Sequence, residues 1–309
     1  MIQVNNLVKR YGDLVALDHF DLEVREGEIF GLLGPNGSGK TTAINCMLSL
    51  LKFSKGEVNL FGEPMTPNSY GSKRRIGVVM QNVAVFNELT VVENIDYFCG
   101  LYIPDKEERK PLIEEAIAFT GLGDFRKFLP KKLSGGLLRR LNIACGIAHK
   151  PDLIFLDEPT VAVAPQSRNH ILEGIKELNK NGATIVYTSH YMEEVEQICT
   201  RIMIMDKGKA VATGTKEELK AMIRSGEKFT VEVLDLPVGV MDMIKELSGL
   251  IHAEYDEGLL TARCESESYC LSTVLDILRR NNVSFGRVFS EPPTLNDVFL
   301  EITGKELKD

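Results

Sequence analysis

The sequence lacks any apolar run long enough to cross a lipid bilayer. Its longest stretches without Asp, Glu, Lys or Arg are residues 76–87 and 181–192, 12 residues each, whereas a membrane-spanning helix needs about 20 mostly apolar residues. The sequence therefore predicts a chain that does not cross a bilayer. No apolar signal segment is visible at its start, so we expect the cytosol rather than secretion.

An excess of positive charge is also missing. The 36 basic and 44 acidic side chains give a formal net charge of −8, so no diffuse positive field is available to hold nucleic acid or an anionic membrane. The six cysteines form no C-x-x-C pair, and we interpret them as reduced, structural residues. The 309 residues, 44% hydrophobic and 26% charged, suit two globular domains.

Two sequence patterns divide the chain. In residues 1–222, helical patterns alternate with continuous apolar runs at 28–33, 153–156 and 184–188. Such runs are typical of parallel strands covered on both faces, which predicts a layered α/β domain. Residues 227–309 follow the order β-α-β-β-α-β, which predicts a small α+β ferredoxin-like domain ending in a helix over 295–303.

A glycine-rich segment follows the first apolar run. Residues 34–41 match G-x-x-x-x-G-K-[ST] between a predicted strand and a predicted helix, which is the setting of a phosphate-binding loop. Backbone N–H groups there wrap phosphates, Lys40 supplies a positive charge, and Thr41 is a predicted Mg²⁺ ligand. The predicted nucleotide-binding residues of this segment are Gly34, Pro35, Asn36, Gly37, Ser38, Gly39, Lys40, Thr41 and Thr42.

Two acidic residues end the apolar run that begins at Leu153. Asp157 and Glu158 are thereby predicted at the carboxyl edge of a parallel sheet, where ligands bind in open α/β folds. We expect Asp157 to bind Mg²⁺, through water or directly, and Glu158 to polarise the water that attacks the γ-phosphate. Taken alone, the pair also fits a helix N-cap.

A second glycine motif, Ser134-Gly135-Gly136, begins a predicted helix and is another preformed anion site. One nucleotide does not need two such sites from one chain. The motifs follow in the order phosphate-binding loop, Gln81 after a strand, LSGG, LIFLDEP, and His190 after a strand. This order resembles that of the ATP-binding cassette (ABC) ATPases over residues 2–219.

The resemblance implies a P-loop NTPase fold with a RecA-like core, an antiparallel β subdomain and a helical subdomain. It implies that Tyr11 stacks on adenine, that Gln81 contacts Mg²⁺ and the attacking water, and that His190 contacts the γ-phosphate. The LSGG helix would close over ATP held by the other subunit of a head-to-tail dimer, formed by two copies or by one copy and a paralogue. Taken alone, Tyr11 equally fits a core tyrosine, and His190 fits a buried structural histidine.

Two positions depart from the family pattern. Leu137 stands where many members have Gln, which resembles an exporter branch in which Arg139 and Arg140 follow. Ala164 stands where the family usually has Asp, in a loop that helps communicate between two ATP sites. Ala164 therefore puts coupling and the full hydrolysis rate in question, while the hydrolytic Glu158 is intact.

The end of the chain, EPPTLNDVFLEITGKEL, resembles daunorubicin- and linearmycin-resistance ABC ATPases, which work with separate ABC-2 type membrane permeases. The resemblance implies an ATPase that powers efflux of a drug, antibiotic or lipid at the cytoplasmic face of the cell membrane, with no nucleic acid partner. Alternatives are a soluble ABC ATPase acting on DNA or ribosomes, a weakly hydrolysing regulator and an importer subunit. The predicted helix over 295–303 has one apolar face, formed by Leu295, Val298, Phe299 and Ile302. This face either packs on its own domain or docks on the membrane partner.

Overall fold

The computed structural model describes residues 1–265 and 270–304, and the chain divides into two compact units. The first unit ends at Thr215 and the second begins at Lys216. Parts of the predicted accessory domain, residues 266–269 and 305–309, lie outside the described residues.

The boundary between the units differs from the sequence prediction, which ended the first domain at 222 and began the second at 227. The helix Lys216–Ala221 packs against the helix Leu295–Thr303 and so belongs to the second unit. Its partner lies about 75 residues further along the chain, which a reading of local sequence does not reveal.

Over residues 1–215, all of which the structure describes, the first unit contains two sheets and seven α-helices. Its strands are β1 (Ile2–Tyr11), β2 (Leu14–Val24), β3 (Ile29–Leu33), β4 (Lys55–Leu60), β5 (Glu63–Pro64), β6 (Ile76–Val79), β7 (Leu153–Asp157), β8 (Thr184–Ser189), β9 (Arg201–Asp206) and β10 (Lys209–Gly214). Its helices are α1 (Lys40–Met47), α2 (Tyr70–Arg74), α3 (Val91–Gly100), α4 (Lys106–Thr120), α5 (Gly135–Ile147), α6 (Pro165–Lys180) and α7 (Met192–Ile198). Short 3₁₀ turns lie at Gly123–Phe125 and Pro130–Lys132.

The central sheet has the strand order β10-β9-β3-β8-β7-β6. Strands β6, β7, β8, β3 and β9 are parallel, and β10 pairs antiparallel with β9. Every residue of β3, β7 and β8 is buried, as expected of apolar strands covered on both faces. The predicted parallel α/β core is confirmed, and the adjacent carboxyl ends of β3, β8 and β7 position the site.

An antiparallel sheet with the strand order β2-β1-β4-β5 lies against this core. Phe20 and Leu60 of that sheet share one buried apolar cluster with Phe30 and Phe155 of the central sheet. Helices α3, α4 and α5 form a separate apolar cluster around residues such as Ile95. These are the antiparallel β and helical subdomains of the predicted cassette.

The second unit continues from α8 (Lys216–Ala221) as β11 (Ser225–Val233), α9 (Val238–Lys245), β12 (Leu250–Asp256), β13 (Leu259–Glu265), α10 (Cys270–Arg280), β14 (Phe285–Glu291) and α11 (Leu295–Thr303). Its strands pair antiparallel in the order β12-β13-β11-β14. This is the β-α-β-β-α-β order that the sequence predicts, with the strand arrangement of split βαβ units. On α11, Leu295, Val298 and Phe299 are buried, while Ile302 is exposed.

Among residues 1–265 and 270–304, no helix combines the length and the apolar character that a membrane crossing requires.

Candidate active site

The phosphate-binding loop connects the end of β3 to the start of α1. Gly37 and Gly39 have φ values of 82° and 107°, which glycine adopts without steric cost. A Cβ on Gly34 would lie 2.4 Å from the Met205 carbonyl oxygen, so only glycine fits there. Within the described part of the chain, the buried Ser38 Oγ has no hydrogen-bond partner. A buried hydroxyl left unpaired in a glycine-lined loop suits a ligand with acceptor oxygens, such as a phosphate.

Lys40 begins α1 and folds back onto the loop. Its Nζ donates hydrogen bonds to the carbonyl oxygens of Gly34, at 2.7 Å, and Pro35, at 3.2 Å. The same Nζ lies 3.4 Å from Glu158 Oε1, and the Lys40 side chain is only 4% exposed. Burial lowers the pKa of Lys40, and the nearby Glu158 carboxylate opposes that shift. The lysine is thus held at the site by oxygen atoms that a phosphate can replace.

Asp157 closes β7 as a fully buried carboxylate. It accepts hydrogen bonds from Thr41 Oγ1 at 2.8 Å and from Thr188 Oγ1 at 2.6 Å. These contacts join the first turn of α1 to the carboxyl ends of β7 and β8. A hydroxyl and a carboxylate side by side are oxygen donors of the kind that Mg²⁺ prefers.

Glu158 follows in a left-handed backbone conformation, with φ of 47°, which is uncommon outside glycine. Its N–H donates to Thr188 Oγ1 at 2.9 Å, which holds this conformation. Glu158 Oε2 accepts a hydrogen bond from Gln81 Nε2 at 3.3 Å, and His190 Nδ1 also lies 3.3 Å from it. The three predicted catalytic residues therefore meet at one carboxylate.

Arg139 contributes to this arrangement and was missed by the sequence prediction of the site. It projects from α5, is buried, and donates from Nη1 to the Met80 carbonyl oxygen at 3.0 Å and from Nη2 to the Glu158 carbonyl oxygen at 3.2 Å. Burial lowers the pKa of Arg139, while Asp157 and Glu158 oppose the shift. The available signal was an arginine pair after LSGG, which a helix pattern alone assigns to solvent.

The LSGG segment lies apart from the residues around Glu158. Ser134 caps α5 by accepting a hydrogen bond from the Leu137 N–H at 3.3 Å, as predicted. Ser134 and Gly135 are exposed. In the described part of the chain, no hydrogen bond or ion pair joins Ser134, Gly135 or Gly136 to the phosphate-binding loop.

Tyr11 and Ala164 complete the predicted set. Tyr11 ends β1 and is 46% exposed, and Lys9 Nζ lies 4.7 Å from the centre of its ring. The ring is therefore available on the surface and is not the core tyrosine of the alternative interpretation. Ala164 is exposed at the N-cap of α6 and makes no side-chain capping bond.

Comparison with known proteins finds a matching family and similar ATP-binding proteins. A family model described as ABC transporter matches residues 17–161. The chain is 34% identical to the linearmycin resistance ATP-binding protein LnrL of Bacillus subtilis (strain 168), with 100% of each chain covered. It is 34% identical to the daunorubicin/doxorubicin resistance ATP-binding protein DrrA of Streptomyces peucetius, covering 100% of this chain and 94% of that one.

A solved structure is also similar. A dimeric ATP-binding cassette in a post-hydrolysis state, bound to ADP and Pi, superimposes with a TM-score of 0.64 at 28% sequence identity. The similarity covers 70% of this chain and 98% of that one.

Proposed function

The chain belongs to the ABC transporter family, and on that premise we propose that it powers efflux of a drug, antibiotic or lipid through a separate ABC-2 type permease. It is an ATPase, and relatives of this family power export. The similar proteins named for resistance to linearmycin and to daunorubicin and doxorubicin support the cargo class. The observation that carries the site assignment is the convergence of Lys40, Gln81 and His190 on Glu158.

In the proposed reaction, a water oxygen attacks the γ-phosphorus of ATP while the bond to the bridging oxygen of ADP breaks. Glu158 accepts the proton of that water as general base, and Gln81 and His190 hold the water and the γ-phosphate beside it. Lys40 leaves Glu158 and the loop carbonyls to bind the β- and γ-phosphates. This exchange frees the Glu158 carboxylate when nucleotide is present.

Thr41 and Asp157 fit a Mg²⁺ ion, because they place a hydroxyl and a fully buried carboxylate together beside the loop. When bound, Mg²⁺ supplies positive charge to the β- and γ-phosphate oxygens. We assign Thr41 and Asp157 as the residues that would hold Mg²⁺. Gln81 lies nearby, hydrogen-bonded to the Glu158 carboxylate.

We infer that the exposed LSGG end of α5 binds ATP held by a second ATPase subunit. ABC ATP-binding proteins dimerise, and the similar solved cassette is dimeric with ADP and Pi bound. Helix α5 is 13 residues long, and Ser134 and Gly135 at its start are exposed. Such an N-terminus favours a phosphate.

An exposed aromatic surface follows Gln81 and supports docking on a membrane partner. Phe86 is 41% and Tyr97 is 46% exposed, and their ring centres lie 4.8 Å apart in an edge-to-face contact. Leu101, at the end of the same helix α3, is also exposed. Contiguous exposed apolar patches are typical of surfaces that bind another protein, and we assign this surface to the permease, which would hold the chain at the membrane.

A crosslinking experiment in the source cells tests this assignment. A photoreactive benzoylphenylalanine at Tyr97 is expected to crosslink to an integral membrane protein. The matched control carries the same photoreactive residue at Tyr70, which is 68% exposed on α2. Because α2 precedes β6 and lies outside the proposed docking surface, this control is expected to give no crosslink to a membrane protein. Crosslinks from Tyr97 to ribosomal proteins or DNA would favour the soluble ABC ATPase instead.

A further inference from the structure

A buried carboxylate next to the candidate active site has no role in the proposed reaction. Glu194 lies in α7, four residues after His190, and is 3% exposed. Its Oε2 accepts hydrogen bonds from Tyr187 Oη at 2.6 Å, Thr160 Oγ1 at 2.7 Å and Ser189 Oγ at 3.1 Å. These donors come from β8 and from the segment just after Glu158, so one carboxylate ties together the two segments that carry the catalytic residues.

The second oxygen of this carboxylate faces a cation. Arg168 Nε, on α6, lies 3.3 Å from Glu194 Oε1. The Arg168 guanidinium lies 4.7 Å from the centre of the Tyr191 ring. The Tyr191 and His190 ring centres are 4.1 Å apart, with the planes tilted by 40°. A continuous chain of contacts therefore runs from Glu194 through Arg168 and Tyr191 to His190.

His190 contacts both Glu158 and the Tyr191 ring. Its Nδ1 lies 3.3 Å from Glu158 Oε2 and has no hydrogen-bond partner among the described residues. With no directional hydrogen bond at Nδ1, the contact with the Tyr191 ring contributes to orienting the imidazole. Because Tyr191 lies under a guanidinium that is paired with a buried carboxylate, its position depends on Arg168 and Glu194.

A buried carboxylate is costly unless hydroxyls and a cation compensate it. Burial, followed by the Glu194 carboxylate, raises the pKa of Tyr187 well above its usual value, so the phenol keeps its proton and remains a donor to Glu194. Thr160 is fully buried as well. Three hydroxyl donors on Oε2 and the Arg168 guanidinium near Oε1 thus compensate the Glu194 charge, as a positioning role requires.

We propose that Glu194 and Arg168 are positioning residues for ATP hydrolysis, which hold His190 beside Glu158 through Tyr191. The proposal rests on the function proposed above, in which His190 contacts the γ-phosphate. Neither residue touches nucleotide. Removing either one is expected to lower kcat and to leave ATP affinity nearly unchanged.

The first test is the substitution Arg168→Met, which removes the charge and keeps a long side chain. We expect kcat for ATP to fall by about 10-fold or more, as for a displaced catalytic group, with the dissociation constant for ATP within about twofold of the parent. Arg168→Lys, which keeps a cation over Tyr191, is expected to recover most of the rate. Lys176→Met, on the same helix with an exposed partner, is the matched control and is expected to be as active as the parent.

A double-mutant cycle distinguishes positioning from general structural support. In a His190→Ala background, Arg168→Met is expected to cause no further loss of kcat, because its effect passes through His190. An equal fold-loss in both backgrounds would overturn the proposal. If Arg168→Met fails to fold, the nearly isosteric Glu194→Gln takes its place in the same cycle. A parental rate for His190→Ala alone would instead contradict the role of His190 in the proposed function.

Discussion

Lys40 and Glu158 lie against each other, with Nζ 3.4 Å from Oε1 and both side chains almost completely buried. The loop lysine thus neutralises the carboxylate that the proposed reaction needs as a base. Removing one member of a buried pair leaves the other charge uncompensated, which is strongly unfavourable. A phosphate that draws Lys40 away therefore has to arrive together with new partners for Glu158, such as the attacking water.

The two glycines that begin α5 are expected to respond differently to alanine. A Cβ on Gly136 would lie 2.7 Å from Ser167 Oγ and 2.9 Å from Ser167 Cβ, whereas the nearest atom to a Cβ on Gly135 is 4.0 Å away. Gly136→Ala is expected to lower stability by about 1–3 kcal/mol through overpacking. Gly135→Ala is expected to fold normally and to lower ATP turnover about 10-fold, because in the proposed dimer the added methyl would face the nucleotide of the second subunit.

Thermal unfolding and phosphate release measured on both variants check these outcomes. Gly136→Ala serves as the steric control for Gly135→Ala. If Gly135→Ala retains the parental turnover, the exposed end of α5 does not contact nucleotide and the dimer assignment is wrong.

Substitutions of Ala164 are expected to affect the stability of the chain and the coupling between the two ATP sites separately. It occupies the N-cap of α6 with no side-chain capping bond, and an Asp or Asn there supplies one, worth about 1 kcal/mol. Ala164→Asp and Ala164→Asn are therefore both expected to raise the melting temperature. Only Ala164→Asp carries a charge that can accept charge-assisted hydrogen bonds from the other subunit, so it alone is expected to raise ATPase activity and its cooperativity in ATP.

Parallel ATP titrations of the parent, Ala164→Asp and Ala164→Asn separate the two effects. Equal or lower activity in Ala164→Asp would show that no carboxylate is needed in this loop. Equal gains in both variants would assign the effect to helix capping alone.

His149 is expected to make the first unit less stable in acid. It is buried, stacks on Tyr102 with ring centres 3.7 Å apart, and its Nε2 lies 3.1 Å from the Ile76 carbonyl oxygen. Burial lowers its pKa to about 4, against a small opposing effect of Ile76, whereas the unfolded chain has a pKa of about 6.5. Between these values the unfolded chain binds more protons, so the free energy of unfolding decreases as pH falls from about 6.5 to 4.

Urea unfolding at pH 7.5 and pH 5 measures this loss. His149→Gln removes the titrating group. Between the two pH values, the variant is therefore expected to lose about 2 kcal/mol less unfolding free energy than the parent. Any constant effect of losing the ring stack cancels in this difference. Equal losses in the two proteins would show that His149 does not titrate in this range.

The unit boundary predicts how truncated chains behave. Residues 216–304 include their own apolar core, with Val231, Leu260 and Val274 buried together, so residues 1–215 are expected to fold and to bind ATP as the parent does. A chain of residues 1–226 keeps α8 without α11 and leaves the normally buried Leu219 uncovered. It is expected to bind ATP but to aggregate more, as measured by light scattering. Loss of ATP binding in 1–215 would place the boundary inside a shared core.

Local sequence was sufficient for the elements that carry the chemistry. The apolar runs correctly predicted β3, β7 and β8, and the glycine motif correctly predicted the loop that leads into α1. Ligands in open α/β folds bind at the carboxyl ends of the parallel strands. Asp157 and Glu158 could therefore be placed beside that loop from the sequence alone.

Residues whose role depends on long-range packing could not be recognised in the same way. Arg139 and Glu194 are charged residues on helices, and helical spacing alone assigns such residues to solvent. Their burial depends on partners such as Met80 and Tyr187, which other segments of the chain bring close. The left-handed backbone of Glu158 likewise depends on Thr188, 30 residues away.

The central claim is that Glu158 is the base for ATP hydrolysis in a site where Lys40 binds the phosphates. The most direct test is steady-state phosphate release with Mg²⁺ by the parent and by Glu158→Gln, with ATP binding to each measured by equilibrium titration and Lys40→Ala as the comparison. Glu158→Gln is expected to lower turnover by about 100-fold or more while ATP still binds, and Lys40→Ala to weaken ATP binding itself. Turnover at the parental rate in Glu158→Gln would contradict the account.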